Sequence, residues 1–386
     1  MQHQNLKKSK LKIFVSLFFL LLISGFYQCK SSLEDGLVKN GADSTAITAA
    51  DEELSAKSTG KNATLKSAFS FPFGAAVVID RLEDKPYIDI LKKDFRSVTP
   101  ESSMKFGALQ PSKDTYTWTK ADGIVAFAQA NGMRVHGHTL IWGKDGRTPD
   151  WVVNYKGNKD DFLKLLKDHI QTVVKHFKGK VNSWDVVNEA FQNNGKYKSN
   201  IWYKKLGEEY LYKSFQYAQE ADPNALLFYN DYGQEFGGAK LQAIIDMAAN
   251  CKKRGIAIHG FGLQMHTNLN LSIGRFSENL VKLKNTGLLI HLSELDIAVR
   301  DGQPEHFALS AKLNTALAAK YKAIVKTYLS LPVKQQFGIT TWGVSDRNSF
   351  YNDSYPNIDH DYPLLFDKNY AAKPAYTAVI EAGKGI

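Results

Sequence analysis

Residues 160–189 read DDFLKLLKDHIQTVVKHFKGKVNSWDVVNE, and two periods meet inside that stretch. From Asp160 to Phe177, Phe162, Leu165, Leu166, His169, Ile170, Val173 and Val174 recur at helical spacing, so one face of a helix is apolar. After a short polar break, Ser183 to Val187 is a compact β-rich run. Near-continuous apolar runs of this kind suit parallel strands covered by helices on the outside. The same unit repeats along the chain. Candidate strands lie at Phe73 to Val78, Ser97 to Thr99, Arg134 to Leu140, Ser183 to Val187, Leu226 to Tyr229, Gly260 to Leu263, Leu289 to Leu295 and Gly338 to Val344, with amphipathic stretches between them. Eight strands alternating with helices predict a single (β/α)8 barrel over residues 67–386.

The chain as a whole has 386 residues, 44% hydrophobic and 23% charged, a globular composition with too few cysteines, Cys29 and Cys251, for a disulfide framework. Its formal charge of +10 falls to +6 once Lys7, Lys8, Lys10 and Lys12 are set aside, and the remaining basic residues are scattered. A solvated surface is therefore expected, with no nucleic-acid partner. Those four lysines precede an apolar run from Ile13 to Ile23, too short to span a bilayer and suited to an export signal over residues 1–28. Cys29 closes it in the manner of a lipidated cysteine, and residues 29–66, which contain no aromatic side chain, read as a flexible tether. An exported envelope lipoprotein, at the periplasm or cell surface, is expected, with a secreted protein as the alternative; the only membrane association would be through the lipid.

In a barrel of this kind function sits at the carboxyl ends of the strands. The polar residues found there are Glu101, His136 with His138, Asn188 with Glu189, Asn230 with Asp231, Gln264 with His266, Glu294 with Asp296, and Trp342 with Asp346. Any one could be a strand-end cap; the set, on one rim, points to a site. Glu189 and Glu294 each end or interrupt an apolar run, where an ionised carboxylate is costly without partners or a task. Two acids facing each other across a cleft can hydrolyse a glycosidic bond, one protonating the leaving oxygen while the other attacks the anomeric carbon. The competing explanation is a pair of structural salt bridges, yet no basic residue stands at helical or cross-strand spacing to either acid. His136 is expected to be a core histidine and Cys251 a packed thiol. No metal-ligand spacing or phosphate-binding glycine loop is present, so no cofactor and no metal are expected.

The ordered strings TPESSMK (99–105), HGHTLIW (136–142), WDVVNEA (184–190), YNDY (229–232), GLQMH (262–266), SELDI (293–297), WGVSD (342–346) and PLLFDKNYAAKPAY (363–376) resemble glycoside hydrolase family 10, the retaining endo-β-1,4-xylanase family. The resemblance implies Glu189 as general acid/base and Glu294 as nucleophile, with the covalent glycosyl-enzyme of a double displacement. It implies that Asn188 holds the sugar 2-hydroxyl and that His266 and Asp296 support the nucleophile. Gln264 would contact the reacting sugar, Glu101, Lys105, His138 and Trp142 would line the non-reducing side, and Trp342 would be a platform beneath the sugar. The expected partner is a polysaccharide, xylan or a related β-glycan, and the expected state a monomer. The sequence departs from the family's pattern at Ser102, Gly143 and Phe350 and in a charged loop, Lys144 to Pro149. Another β-glycan is thus the rival substrate, and a glycan-binding lipoprotein without catalysis the rival class.

Overall fold

The protein is described by a computed structural model covering residues 63–144, 146–303, 307–354 and 361–386. The export signal, Cys29 and the tether up to residue 62 lie outside the described residues. Among the described residues nine strands form one parallel sheet: β1 (Phe73–Val77), β2 (Ser97–Pro100), β3 (Arg134–Trp142), β4 (Ser183–Asn188), β5 (Leu226–Asp231), β6 (Gly260–Leu263), β7 (His266–Asn268), β8 (Leu289–Ala298) and β9 (Gln336–Thr341). β1 pairs with both β2 and β9, and β6 pairs with β8, so eight of the strands close into a barrel. The expected (β/α)8 architecture is the observed one.

β7 is the strand that was not anticipated. It continues β6 after Gln264 and a left-handed Met265 (φ 60°), and it runs beside the outer half of β8 with His266 opposite Asp296. Three residues are too few to show a period, whereas the ladder they make sets the position of His266. The last strand ends earlier than expected, at Thr341: Gly343 adopts φ 127° and the Thr341 hydroxyl donates to its carbonyl, which turns the chain outward. Folded structure also begins before residue 67. Thr64 caps the short helix Leu65–Ala68, Leu65 is fully buried, and its N–H donates to Asp94.

The outer helices bury the faces that their spacing predicts. In the helix Lys159–His176, Asn158 accepts from the N–H groups of Asp160 and Asp161 and closes a capping box, and acids in the first turn and bases in the last complement the helix dipole. Phe162, Leu166, Ile170, Val173 and Val174 are wholly buried, each contributing about 1.5–3 kcal/mol relative to exposure.

Inside the lower barrel the filling is polar and aromatic. The Arg134 guanidinium lies 3.7 Å from the Phe337 ring centroid, donates to the Phe337 carbonyl (3.0 Å) and to Ser97 (3.2 Å), and is pushed down to about 10 by burial. Above it His136 bonds Ser183 (2.7 Å) and contacts Asp185 (3.0 Å), and His291 bonds Thr340 (2.8 Å). His136 is the core histidine expected of it, and Cys251 is buried and free.

Candidate active site

The carboxyl ends of the strands open into a cleft of about 1120 Å³. β4 delivers its acid through a backbone turn. Glu189 adopts φ 56°, a left-handed conformation that a non-glycine residue holds only where the surroundings fix it. Here they do: the Glu189 N–H donates to the Asn230 carbonyl (2.9 Å), and the next N–H, of Ala190, donates to the Tyr229 hydroxyl (2.9 Å), itself bonded to Asp231 (2.6 Å). Asp231, pushed up to about 6 by burial, is paired with Lys240 at 2.6 Å and supports this turn from behind the cleft wall. The Glu189 carboxylate reaches Lys198 Nζ at 3.0 Å through Oε2 and accepts from Gln264 at 3.3 Å through Oε1.

Lys198 is a basic neighbour that spacing along the chain could not show. It is nine residues away, outside helical or strand spacing, and a hairpin closed by the Phe191–Tyr197 bridge brings it back so that its N–H donates to the Ala190 carbonyl (2.7 Å). Asn193-Asn194-Gly195, a turn signal between two aromatic residues, is the feature of the sequence that could have revealed it.

β8 delivers the second acid. Glu294 is buried, accepting from Asn230 Nδ2 at 2.7 Å on Oε1 and from His266 Nε2 at 3.0 Å on Oε2. The other His266 nitrogen bonds Asp296 at 2.8 Å. With a carboxylate at each ring nitrogen, His266 is held as the imidazolium: burial opposes its charge, but Asp296 and Glu294 outweigh it and raise its pKa well above the usual value. In return Glu294 lies below the ordinary carboxylate range, since His266, His138 and Asn230 more than offset the burial that would raise it. Asn230 joins the two halves of the site. Its amide donates to Asn188 (3.0 Å) as well as to Glu294, its oxygen accepts from Ser293 (2.6 Å), and Asn188 in turn accepts from Gln264 (3.2 Å).

The remaining expected residues, Glu101, Lys105, His138, Trp142, Gln264 and Trp342, all line the same cleft. His138 is oriented by Asp185 at 2.9 Å, and Trp342 meets His138 edge-on at 5.4 Å between ring centroids. Lys105 stands 5.2 Å from the Trp142 ring centroid, and burial lowers its pKa although Glu294 and Glu101 pull the other way. Two rim candidates are structural. Asp231 is described above, and Asp346 is buried against Lys373 (2.9 Å) and the Leu364 N–H (2.8 Å), fastening the C-terminal segment. Of the departures, Ser102 is exposed and not on the cleft wall. Gly143 is on it, where a Cβ would meet the Asn200 side chain at 2.3 Å, and Phe350 is on it beside His266, 5.0 Å between centroids. The loop after β5 contributes residues that were not anticipated: Tyr232, a half-exposed Phe236, and Glu235, whose buried carboxyl is pushed up to about 7.

The model of the family described as Glycosyl hydrolase family 10 matches residues 61–382. The chain belongs to glycosyl hydrolase family 10. Among its family 10 relatives is the endo-1,4-beta-xylanase B of Thermotoga neapolitana, 36% identical over 296 residues that span 76% of this chain and 82% of that one. The endo-beta-1,4-xylanase Xyn10C of Cellvibrio japonicus is 37% identical over 340 residues, 81% of this chain and 56% of that longer protein. Among solved structures, xylanase 10B from Thermotoga petrophila RKU-1 in complex with xylobiose superposes with a TM-score of 0.78 at 33% identity, covering 85% of this chain and 99% of that one. Family 10 membership thus extends over essentially all of the described residues.

Proposed function

We propose that this chain is a retaining endo-β-1,4-xylanase in which Glu294 is the nucleophile and Glu189 the acid and base. The observation that carries the assignment is the asymmetry of the two acids. Glu294 is buried and held anionic by His266, as an attacking carboxylate must be, while Glu189 is turned into the open cleft beside Gln264 and Lys198. Glu294 attacks the anomeric carbon as Glu189 gives its proton to the leaving oxygen, forming a covalent glycosyl-enzyme. Glu189, now a carboxylate, then takes a proton from the water that displaces Glu294, and the second inversion restores the original configuration. The Asn188 side chain, fixed by Asn230 and Gln264, would bind the 2-hydroxyl, a contact that strengthens as the oxocarbenium-like charge develops. Trp142 and Trp342 offer apolar faces to pyranose rings. An open cleft of about 1120 Å³ supports attack within a chain.

Xylan incubated with the enzyme should lose viscosity before much reducing sugar appears, and NMR of the first products should show the β anomer. Initial α product would refute double displacement. Release from β-glucan but not from xylan would move the substrate to another β-glycan, the reading favoured by the altered wall at Gly143 and Phe350. Measurable glycan binding with no release from any β-glycan would leave a binding module.

The amino-terminal reading extends this proposal. Export by residues 1–28, lipidation at Cys29 and a tether from residue 29 toward the barrel would hold the enzyme at an envelope membrane, within reach of a polymer. Wild-type protein should then partition with membranes and Cys29→Ser should be released or left unprocessed; wholly soluble wild-type protein would refute it.

A further inference from the structure

Trp142 is approached by three cations. Lys105 Nζ lies 5.2 Å, Lys144 Nζ 5.1 Å and the Arg147 guanidinium carbon 5.9 Å from its ring centroid, and all three line the cleft. One cation over an indole is a favourable contact, but three crowded on one ring repel one another. That repulsion is felt at Lys105, where Arg147 adds to the burial that disfavours its charge. Neither Lys144 nor Arg147 forms an ion pair or a side-chain hydrogen bond among the described residues. The backbone of the turn that carries Lys144 and Arg147 is nonetheless fixed. The Arg147 and Thr148 N–H groups both donate to the Lys144 carbonyl (3.0 and 3.1 Å), and the buried Thr148 hydroxyl ties the turn to the Trp142 carbonyl at 2.9 Å.

A neutral sugar chain supplies hydroxyls, which Lys105, His138 and the cleft carboxylates can already satisfy. It gives no reason for two more cations on the same wall that have no ion-pair partner among the described residues. A carboxylate does: it offers acceptor oxygens that match the planar fork of Arg147 and the point charge of Lys144, and it relieves the repulsion around the ring. We infer that Lys144 and Arg147 form an acid-recognition subsite for a uronic acid side group carried by the glycan backbone at the sugar beside Trp142. This assignment rests on the proposed glycanase reading of the cleft and narrows its substrate to an acidic decorated chain.

The test compares a glucuronyl-substituted xylan with the same polymer after its carboxyl groups have been reduced to alcohols, a pair differing in charge alone. For the wild type, kcat/KM on the acid form should exceed that on the reduced form at least fivefold in low salt, and the ratio should fall toward 1 in about 0.5 M NaCl, where exposed charges are screened. The K144A/R147A double variant should bring the ratio to within about twofold of 1, and K144E/R147E should bring it below 1. Binding separates this inference from the catalytic assignment. In a Glu294→Gln background, calorimetry should show tighter binding of a glucuronyl xylo-oligosaccharide than of its carboxyl-reduced twin, a difference lost in the double variant. Equal binding and equal turnover of the two forms by the wild type would overturn the subsite even if linear xylan is cleaved. A binding preference for the acid form in a protein that cleaves no xylan would sustain the subsite and overturn the activity.

Discussion

Replacing His266 with asparagine removes one positive charge from between two buried carboxylates while leaving a side chain that can still donate one hydrogen bond. His266 stands 3.0 Å from Glu294 and 2.8 Å from Asp296. At an effective dielectric constant of about 20 the attraction across 3.0 Å is roughly 5 kcal/mol gross, and a hydrogen bond to a charged group contributes about 1.5–3 kcal/mol net. Loss of that net amount lowers kcat/KM about 10- to 150-fold. The loss depends on pH, and its sign follows from the role of the imidazolium. A neighbouring cation favours the ionised carboxylate, so its removal raises the Glu294 pKa and leaves less of the anionic nucleophile at acid pH. The acid limb of the kcat/KM profile should therefore move to higher pH, with the variant recovering part of its deficit as pH rises. Initial rates on an aryl β-xylobioside from about pH 4.5 to 9 would show it. An equal loss at every pH, or a limb displaced downward, would refute the view that His266 acts by holding Glu294 ionised.

Three further outcomes follow from the same structure. Glu294→Ala should abolish turnover of every substrate, whereas Glu189→Ala should still form the glycosyl-enzyme from a substrate with a good leaving group; equal loss on an activated aryl glycoside would reverse the assignment. Gly262→Ala would place a Cβ 2.2 Å from the Asn230 side-chain oxygen, forcing the amide off Asn188 and Glu294, so a folded protein by circular dichroism should show at least a tenfold drop in kcat, and full activity would show that Asn230 is dispensable. His169 lies 3.4 Å from Phe106, centroid to centroid, and burial pushes it down to about 3. A base with a depressed folded pKa adds stability above its unfolded value near 6.5 and loses it as pH falls toward 3. Urea unfolding should show the stability gap between wild type and His169→Gln shrinking by about 2 kcal/mol from pH 7 to pH 5, and parallel curves would count against a neutral buried imidazole.

The strands were legible because their residues are buried on both faces and read as unbroken runs, as in Ser183 to Asn188. The two acids were legible for the opposite reason, each being a charge where the run should have continued. Residues reached through loops were not. Lys198 depends on a hairpin, Phe236 and Glu235 on a short 3-10 turn, and β7 on three residues that follow a left-handed bend. Asn230 could be placed on the rim from its strand but not recognised as the link between the acids, because that role depends on Asn188 and Glu294, 42 and 64 residues away, being brought to the same side chain.

Arg134, on the third strand, carries a further implication for how the chain acquires its shape. Its guanidinium donates to the carbonyl of Phe337, 203 residues downstream, and the first strand finds its second neighbour only when the ninth exists. A growing chain that has synthesised half the barrel holds a buried-type cation that has Ser97 but not yet the Phe337 carbonyl, and a sheet with two open edges, and neither is stable dry. Closure must wait for the carboxyl-terminal residues to emerge, as the packing of the helix Pro374–Gly383 on the helix Leu65–Ala68 also requires. Delay of this kind keeps a nascent polypeptide loose and threadable, a state that the export proposed above would require.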